Sequence, residues 1–223
     1  MSTLAAVADG PLEDAAIALS VSEQPDVDPQ AIRTSLDALA APIRIPEGAS
    51  TIEGLARLTL ELFQHQGFRG DDEEYDAPHN SFVDRVLERR RGLPIALSVI
   101  TVAVGERVGL PLDPVGFPGH FLVSPRHAEE RFFVDPFHQG AIVNATQLRA
   151  QLTRQMGLVD DATFASAAAP VSTRAVLVRM CTNLALSYLR RTDREGASRM
   201  REHLEALAGP TMPVVGLLRR FLG

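Results

Sequence analysis

Between Gly92 and Gly109 the chain reads LPIALSVITVAVGERV, and from Ile95 to Val104 every residue is apolar except Ser98 and Thr101. Pro94 suits the first position of a helix, where its missing N–H would have no partner anyway, and Gly109 closes the segment. A helix that is apolar on most of its sides has no face to give to water. It must be wrapped by other elements, so this chain has to fold around a central helix. Its 223 residues are enough for one large domain or two small ones with a real core.

The flanking segments supply the wrapping. In residues 1–70 three helices are expected. Leu12, Ala15, Ala16 and Leu19 recur at helical spacing, as do Ile32, Leu36 and Leu39 after Asp28-Pro29. Ser50 with Glu53 makes a capping-box pattern ahead of Leu55, Leu58, Leu62 and Phe63. Residues 69–79 are an acidic loop. Asn80 or Ser81 is placed to cap the next helix, which carries Phe82, Val83, Val86 and Leu87 on one side and ends in Arg89, Arg90 and Arg91.

From Leu110 the pattern changes to DPVGFP, GHFLVS and RFFVDPF, which are short, rich in Val and Phe, and bounded by Gly and Pro, as strands are. After Gly140 the chain turns helical again. Thr146 is the expected cap of QLRAQLTRQMG, residues 160–171 a loop, and Ser172 the cap of a long helix striped with Leu177, Cys181, Leu184 and Tyr188. Two further helices follow. The resulting division is an N-terminal helical region (1–70), a mixed core (71–145) and a helical C-terminal region (146–223), an α+β arrangement expected to form one unit.

Charge and composition exclude several function classes. All 22 cations are arginines, against 28 acids, for a net charge of −6. An acidic chain lacks the positive excess on which general nucleic-acid affinity rests, so no nucleic-acid partner is expected. No apolar run reaches the roughly 18 residues of a membrane span, and the first residues, with no basic residue before their apolar part and with early acids, do not read as a secretory or transit peptide. A single cysteine cannot form an internal disulfide, which fits the cytoplasm. No glycine-rich phosphate loop follows a strand, so no nucleotide, flavin or haem cofactor is expected. No feature of the sequence fixes an oligomeric state.

The chemistry concentrates on the second and third of these strands. With a turn centred between His127 and Ala128, His120 stands across from Asp135, Leu122 from Phe133 and Ser124 from Arg131. Phe121 with Val134 and Val123 with Phe132 then make an apolar face. Opposed residues have Cβ atoms about 4.5–5.5 Å apart, close enough for a carboxylate to orient an imidazole. That is the orienter-and-base half of a catalytic triad. The helix from Pro94 would offer the nucleophile, but its start, Gly92-Leu93-Pro94-Ile95, holds no cysteine. Cys181 lies in an apolar stripe and reads as core.

These residues resemble a known family. Gly67-Phe68-Arg69-Gly70 before Tyr75, Asn80-Ser81-Phe82, Val86-Leu87-Glu88-Arg89-Arg90, and Gly92-Leu93-Pro94-Ile95-Ala96-Leu97-Ser98 look like the signature of the transglutaminase-like SirB-type family. So do Val108-Gly109-Leu110-Pro111, Phe117-Pro118-Gly119-His120-Phe121-Leu122 and Asp135-Pro136-Phe137. The resemblance implies a papain-like transglutaminase core, a helix packed on an antiparallel sheet, with tetratricopeptide-like C-terminal helices, where Ala185, Tyr188 and Ala197 have the repeat's spacing. His120 and Asp135 would match the catalytic His and Asp, and the cysteine position falls at or beside Pro94. A proline has neither a nucleophilic atom nor an N–H for an oxyanion hole. The family's name also implies a regulatory role.

The expectation is therefore a cytoplasmic module without a thiol nucleophile that binds a peptide or protein partner. Asn80, Arg90, Pro94 and Gly119 would line its cleft. The competing expectation is an amide-bond hydrolase or acyltransferase in which His120 and Asp135 activate Ser98 or water. Ser98 can instead bond a carbonyl of its own helix. His120, Asp135 and His138, with His65 or His79, carry metal-donor atoms, but no His-x-x-x-His spacing or cysteine pair supports a metal site, and none is expected.

Overall fold

The computed structural model describes residues 3–126 and 131–223. The central helix, α6 (Pro94–Arg107), is buried at every residue from Ile95 to Gly105. Before it come α1 (Thr3–Val7), α2 (Leu12–Glu23), α3 (Pro29–Ala40), α4 (Thr51–Thr59) and α5 (Val83–Arg89). Residues 3–70 thus hold four α-helices where three were expected, and α4 runs on into a π-helical turn, Leu60–His65. The caps of α3 and α4 are those the sequence suggested. Asp28 accepts from the Gln30 amide, and Ser50 and Glu53 close a full capping box.

A four-stranded antiparallel sheet lies against α6, in the order β3 (Leu112–Val115), β4 (Leu122–Pro125), β5 (Phe132–Asp135), β6 (Ala141–Asn144). Phe121, Val123 and Val134 join the α6 core, as expected of the apolar face. The other face is apolar too. Val115, Phe117, Leu122 and Phe133 pack there against Leu148 and Leu152 of α7 (Ala145–Met156) and Phe164 of α8 (Asp161–Ala167). The helices α9 (Thr173–Arg190), α10 (Arg194–Ala208) and α11 (Pro213–Leu222) pack against one another and back onto the N-terminal helices. A Cβ on Gly196 of α10 would stand 2.7 Å from the Tyr188 ring, so glycine permits this close helix approach. One apolar core runs from Leu4 to Leu218.

Several expectations need correcting. Strand β6 occupies residues read as the start of a helix. Asn144, with Gln147, caps α7 in place of Thr146. Residues 161–167 are a helix, not part of a loop, capped by Asp160. Neither Asn80 nor Ser81 caps α5, since both lie in a 3-10 turn (Pro78–Ser81) and the N-cap residue is Phe82. The turn centre at His127 and Ala128 lies outside the described residues. The strand register differs from the expected one by two residues, with Val123 opposite Val134. That keeps His120 and Asp135 on one face but sets them diagonally, with Leu122 level with Asp135.

A two-residue parallel pair holds the start of α6 against the site. In it β1 (Arg69–Gly70) meets β2 (Arg91–Gly92). The Gly70 N–H donates to the Phe137 carbonyl at 3.0 Å and the Leu93 N–H to that of Asn80 at 2.9 Å. A Cβ on Gly70 would sit 2.5 Å from the Phe137 ring, so this strand approaches the loop after Asp135 only because the residue is glycine.

Candidate functional site

His120 enters the site from a tight turn. Pro118 and Gly119 hold its two central positions, Gly119 at φ +75°, and the His120 N–H donates to the Phe117 carbonyl at 3.0 Å. This is the residue chemistry of a type II turn. It aims the imidazole at Asp135, whose Oδ2 lies 3.0 Å from His120 Nδ1. The dyad expected from sequence is therefore assembled, although across a diagonal.

Asp135 is shared more widely than the sequence suggested. Its Oδ2 also lies 2.9 Å from His138 Nδ1, and its Oδ1 accepts the N–H groups of Phe137 and His138 at 3.1 and 3.2 Å. The carboxylate thus organises its own loop, which Gly140 closes by donating to the Asp135 carbonyl at 2.9 Å. Exposure rises across the cluster, from 12% for the Asp135 side chain to 20% for His120 and 59% for His138.

Sequence reasoning missed one partner. The other ring nitrogen of His120, Nε2, is 2.6 Å from the Gln151 side-chain amide. Helix α7 buries Leu148 and Leu152 on the second sheet face, and that packing carries Gln151 to the imidazole. The available signal was a glutamine one position from an apolar stripe. It became meaningful only once the second sheet face was known to be covered.

The remaining candidates fall in different places. Ser98 is fully buried, and its hydroxyl donates to the Phe121 carbonyl at 3.2 Å. It ties α6 to the residue after His120 rather than bonding within its own helix, as Thr101 does to Leu97. Pro94 is the half-buried first residue of α6. Gly119 adjoins His120 and faces the Gln155 side chain, 3.4 Å from where its Cβ would be. Asn80 is buried and does structural work. Its Nδ2 donates to the Glu74 carbonyl at 2.7 Å and its Oδ1 accepts from Arg89 at 2.6 Å. Arg89 also pairs with Asp71 at 2.8 Å and Arg91 with Glu73 at 3.0 Å, as expected of helix-end cations beside an acidic loop. Burial pushes the Asp71 carboxyl up, but hydrogen bonds from Arg89 and the Glu74 amide outweigh it and hold the group below the usual range.

Arg90 is not brought to the dyad. It takes the left-handed conformation at φ 60°, stacks over Phe68 at 4.6 Å and lines a separate groove with Ile32 and Leu87. Burial lowers its pKa. His65 pairs with Glu61, and His79 lies 3.4 Å from Glu74, its pKa lowered by burial. Cys181 is fully buried, its thiol pushed up to about 12 by burial and by the negative charge of Glu23.

Helix α6 against an antiparallel sheet, with His120 and Asp135 on neighbouring strand ends, is the arrangement the sequence motifs implied. A family model for the transglutaminase-like superfamily matches residues 30–182. The chain belongs to that superfamily, in its SirB-type family. Among curated proteins, a UPF0162 protein of Xylella fastidiosa is 34% identical over 207 residues, covering 91% of this chain and 73% of its own length. A UPF0162 protein of Vibrio cholerae is 40% identical over 100 residues, covering 44% of this chain and 37% of its own. F-box only protein 21 of the mouse is 32% identical over 132 residues, covering 58% of this chain and 21% of its own. No solved structure matches significantly. No helix among the described residues is long and apolar enough to cross a membrane.

Proposed function

We propose that this chain is a cytoplasmic binding or regulatory module of the transglutaminase-like fold, which holds a peptide or protein partner at the surface around His120 and Asp135. The observation that carries this reading is the fate of the two candidate nucleophiles, Ser98 and Cys181. Ser98 is fully buried with its hydroxyl given to Phe121, and Cys181 is a fully buried thiol on α9. The family resemblance puts the cysteine position at or beside Pro94, and both nitrogens of His120 have side-chain partners, Asp135 and Gln151. What remains is a set of part-exposed hydrogen-bonding groups on a rigid frame, which suits recognition. The lone cysteine supports a reducing compartment.

One observation favours a second reading, amide hydrolysis by activated water. The 3.0 Å bond from His120 Nδ1 to Asp135 leaves Nε2 as the basic nitrogen, and a substrate that displaced Gln151 would meet it. Selection of peptides from a displayed library on the folded protein separates the two. The binding reading expects an enriched consensus that is lost on His120→Ala, with the peptides recovered intact. Cleaved peptides support hydrolysis, and binding indifferent to His120→Ala overturns both.

A further inference from the structure

We propose that His120, Asp135 and His138 form a binding site for a divalent transition-metal ion of the zinc type, held by the two Nδ1 atoms and Asp135 Oδ2. The argument begins with convergence. Both imidazoles turn the same nitrogen toward the same carboxylate oxygen, at 3.0 and 2.9 Å. One donor atom from each of the three residues lies within 4.8 Å of the others. Ligands about 2.0–2.1 Å from a metal ion stand about 2.8–3.4 Å from one another, the shorter spacing in octahedral and the longer in tetrahedral coordination. The two nitrogen–carboxylate edges, at 3.0 and 2.9 Å, already fall in that range.

The chemistry of the donors points the same way. Two imidazoles and one carboxylate suit zinc and its first-row neighbours, not calcium or magnesium, which take oxygen ligands. Three protein ligands leave coordination positions open, and the gradient of exposure sets the opening on the His138 side. A support for the ligands is already built. Asp135 is fixed by two backbone N–H groups, and the outer nitrogen of His120 meets Gln151 at 2.6 Å. With Nδ1 on a metal, Nε2 carries the proton, and the Gln151 amide, turned to present its oxygen, accepts it. Outer hydrogen bonds of this kind orient metal-binding histidines. The Phe137 ring meets the His138 ring edge-on at 5.4 Å, which restricts the most exposed ligand.

The contrast with the other donor cluster is informative. Asp71, Glu74 and His79 also lie close together, but Arg89 already supplies a cation to both carboxylates. No arginine pairs with Asp135 among the described residues. Among the described residues its side-chain partners are the two imidazoles, whose Nδ1 atoms can bind a metal in place of a proton.

Metal binding does not require a peptide partner, so this inference stands apart from the proposed function. The test is titration of the chelator-stripped full chain with Zn2+ in a competition assay, and with Co2+ followed by its visible ligand-field bands. The site predicts one ion per chain and Co2+ bands that report nitrogen ligation. His138→Ala, a change at an exposed side chain, should weaken binding about 100-fold and abolish the bands, while Gln151→Ala should weaken it about tenfold. Unchanged circular dichroism in both variants separates loss of the site from loss of the fold. The proposal is overturned if Zn2+ fails to bind, or binds equally well to the His138→Ala protein.

Discussion

Two carboxylates, Glu23 and Asp135, each gather several partners, yet they serve different ends. The side chain of Glu23, on α2, is 1% exposed and accepts from Arg199 and the Tyr188 hydroxyl, with His203 at 3.7 Å. Its partners lie on α9 and α10, so it ties the N-terminal helices to the C-terminal ones. Asp135 is met by two imidazoles and two backbone amides, and the His138 imidazole opens the cluster to the surface. At Glu23 a guanidinium and a phenol, which keep their protons near neutral pH, stand beside the His203 imidazole, so this buried carboxylate is clamped by partners that do not all change state. A carboxylate answered by imidazoles keeps partners that can change protonation, tautomer or ligand, which is what a site requires.

The clamp should dominate stability. Glu23→Ala is expected to cost about 2–3 kcal/mol, less than a fully enclosed ion pair because the Arg199 side chain is 42% exposed and can turn to water. Chemical denaturation measures this, and ligand binding at His120 should persist in the folded fraction.

The pH dependence of that clamp follows in sign. Burial pushes the Glu23 carboxyl up from 4.5, but hydrogen bonds from His203 and Arg199 outweigh it and leave it lowered. Its contribution is then complete above the unfolded value and lost as pH falls through the lower folded one. Thermal melts from neutral to acid pH should show the gap between wild type and Glu23→Gln closing below about pH 4.5.

At the site the order reverses. Asp135→Ala removes the acceptor of two backbone amides and should cost about 1–2 kcal/mol, comparable to a lost helix cap, while abolishing ligand binding altogether. Gln151→Ala should change stability by no more than about 0.5 kcal/mol in a melt, yet alter the affinity of any ligand that contacts His120. A Gln151→Ala protein as destabilised as Glu23→Ala would erase the distinction between clamp and site.

Much of this was legible in the sequence because local rules and tertiary packing agree there. The α6 segment is apolar on most of its sides and is buried from Ile95 to Gly105. Ser50 with Glu53 and Ser172 cap as their spacing implied. The failures came where short segments carry little pattern. Ala141–Asn144 is four residues long and runs directly into α7, so no turn signal separates strand from helix. Asp161–Ala167 has a single large apolar residue, Phe164, too few to show a period. The strand register was inferred from an assumed turn centre, whereas the packing of both sheet faces sets it two residues away. His120 and Asp135 were found because a two-residue slip preserves the face. Gln151 was not found, because its meaning depends on α7 crossing that second face.

The central claim is that the His120–Asp135 centre has lost its nucleophile and recognises instead of cleaving. Intact-mass measurement of the folded protein after treatment with serine- and thiol-directed acyl probes tests it most directly. The account predicts an unmodified mass, with Ser98 and Cys181 both shielded by burial. A stoichiometric adduct on Ser98 that disappears in His120→Ala would contradict it.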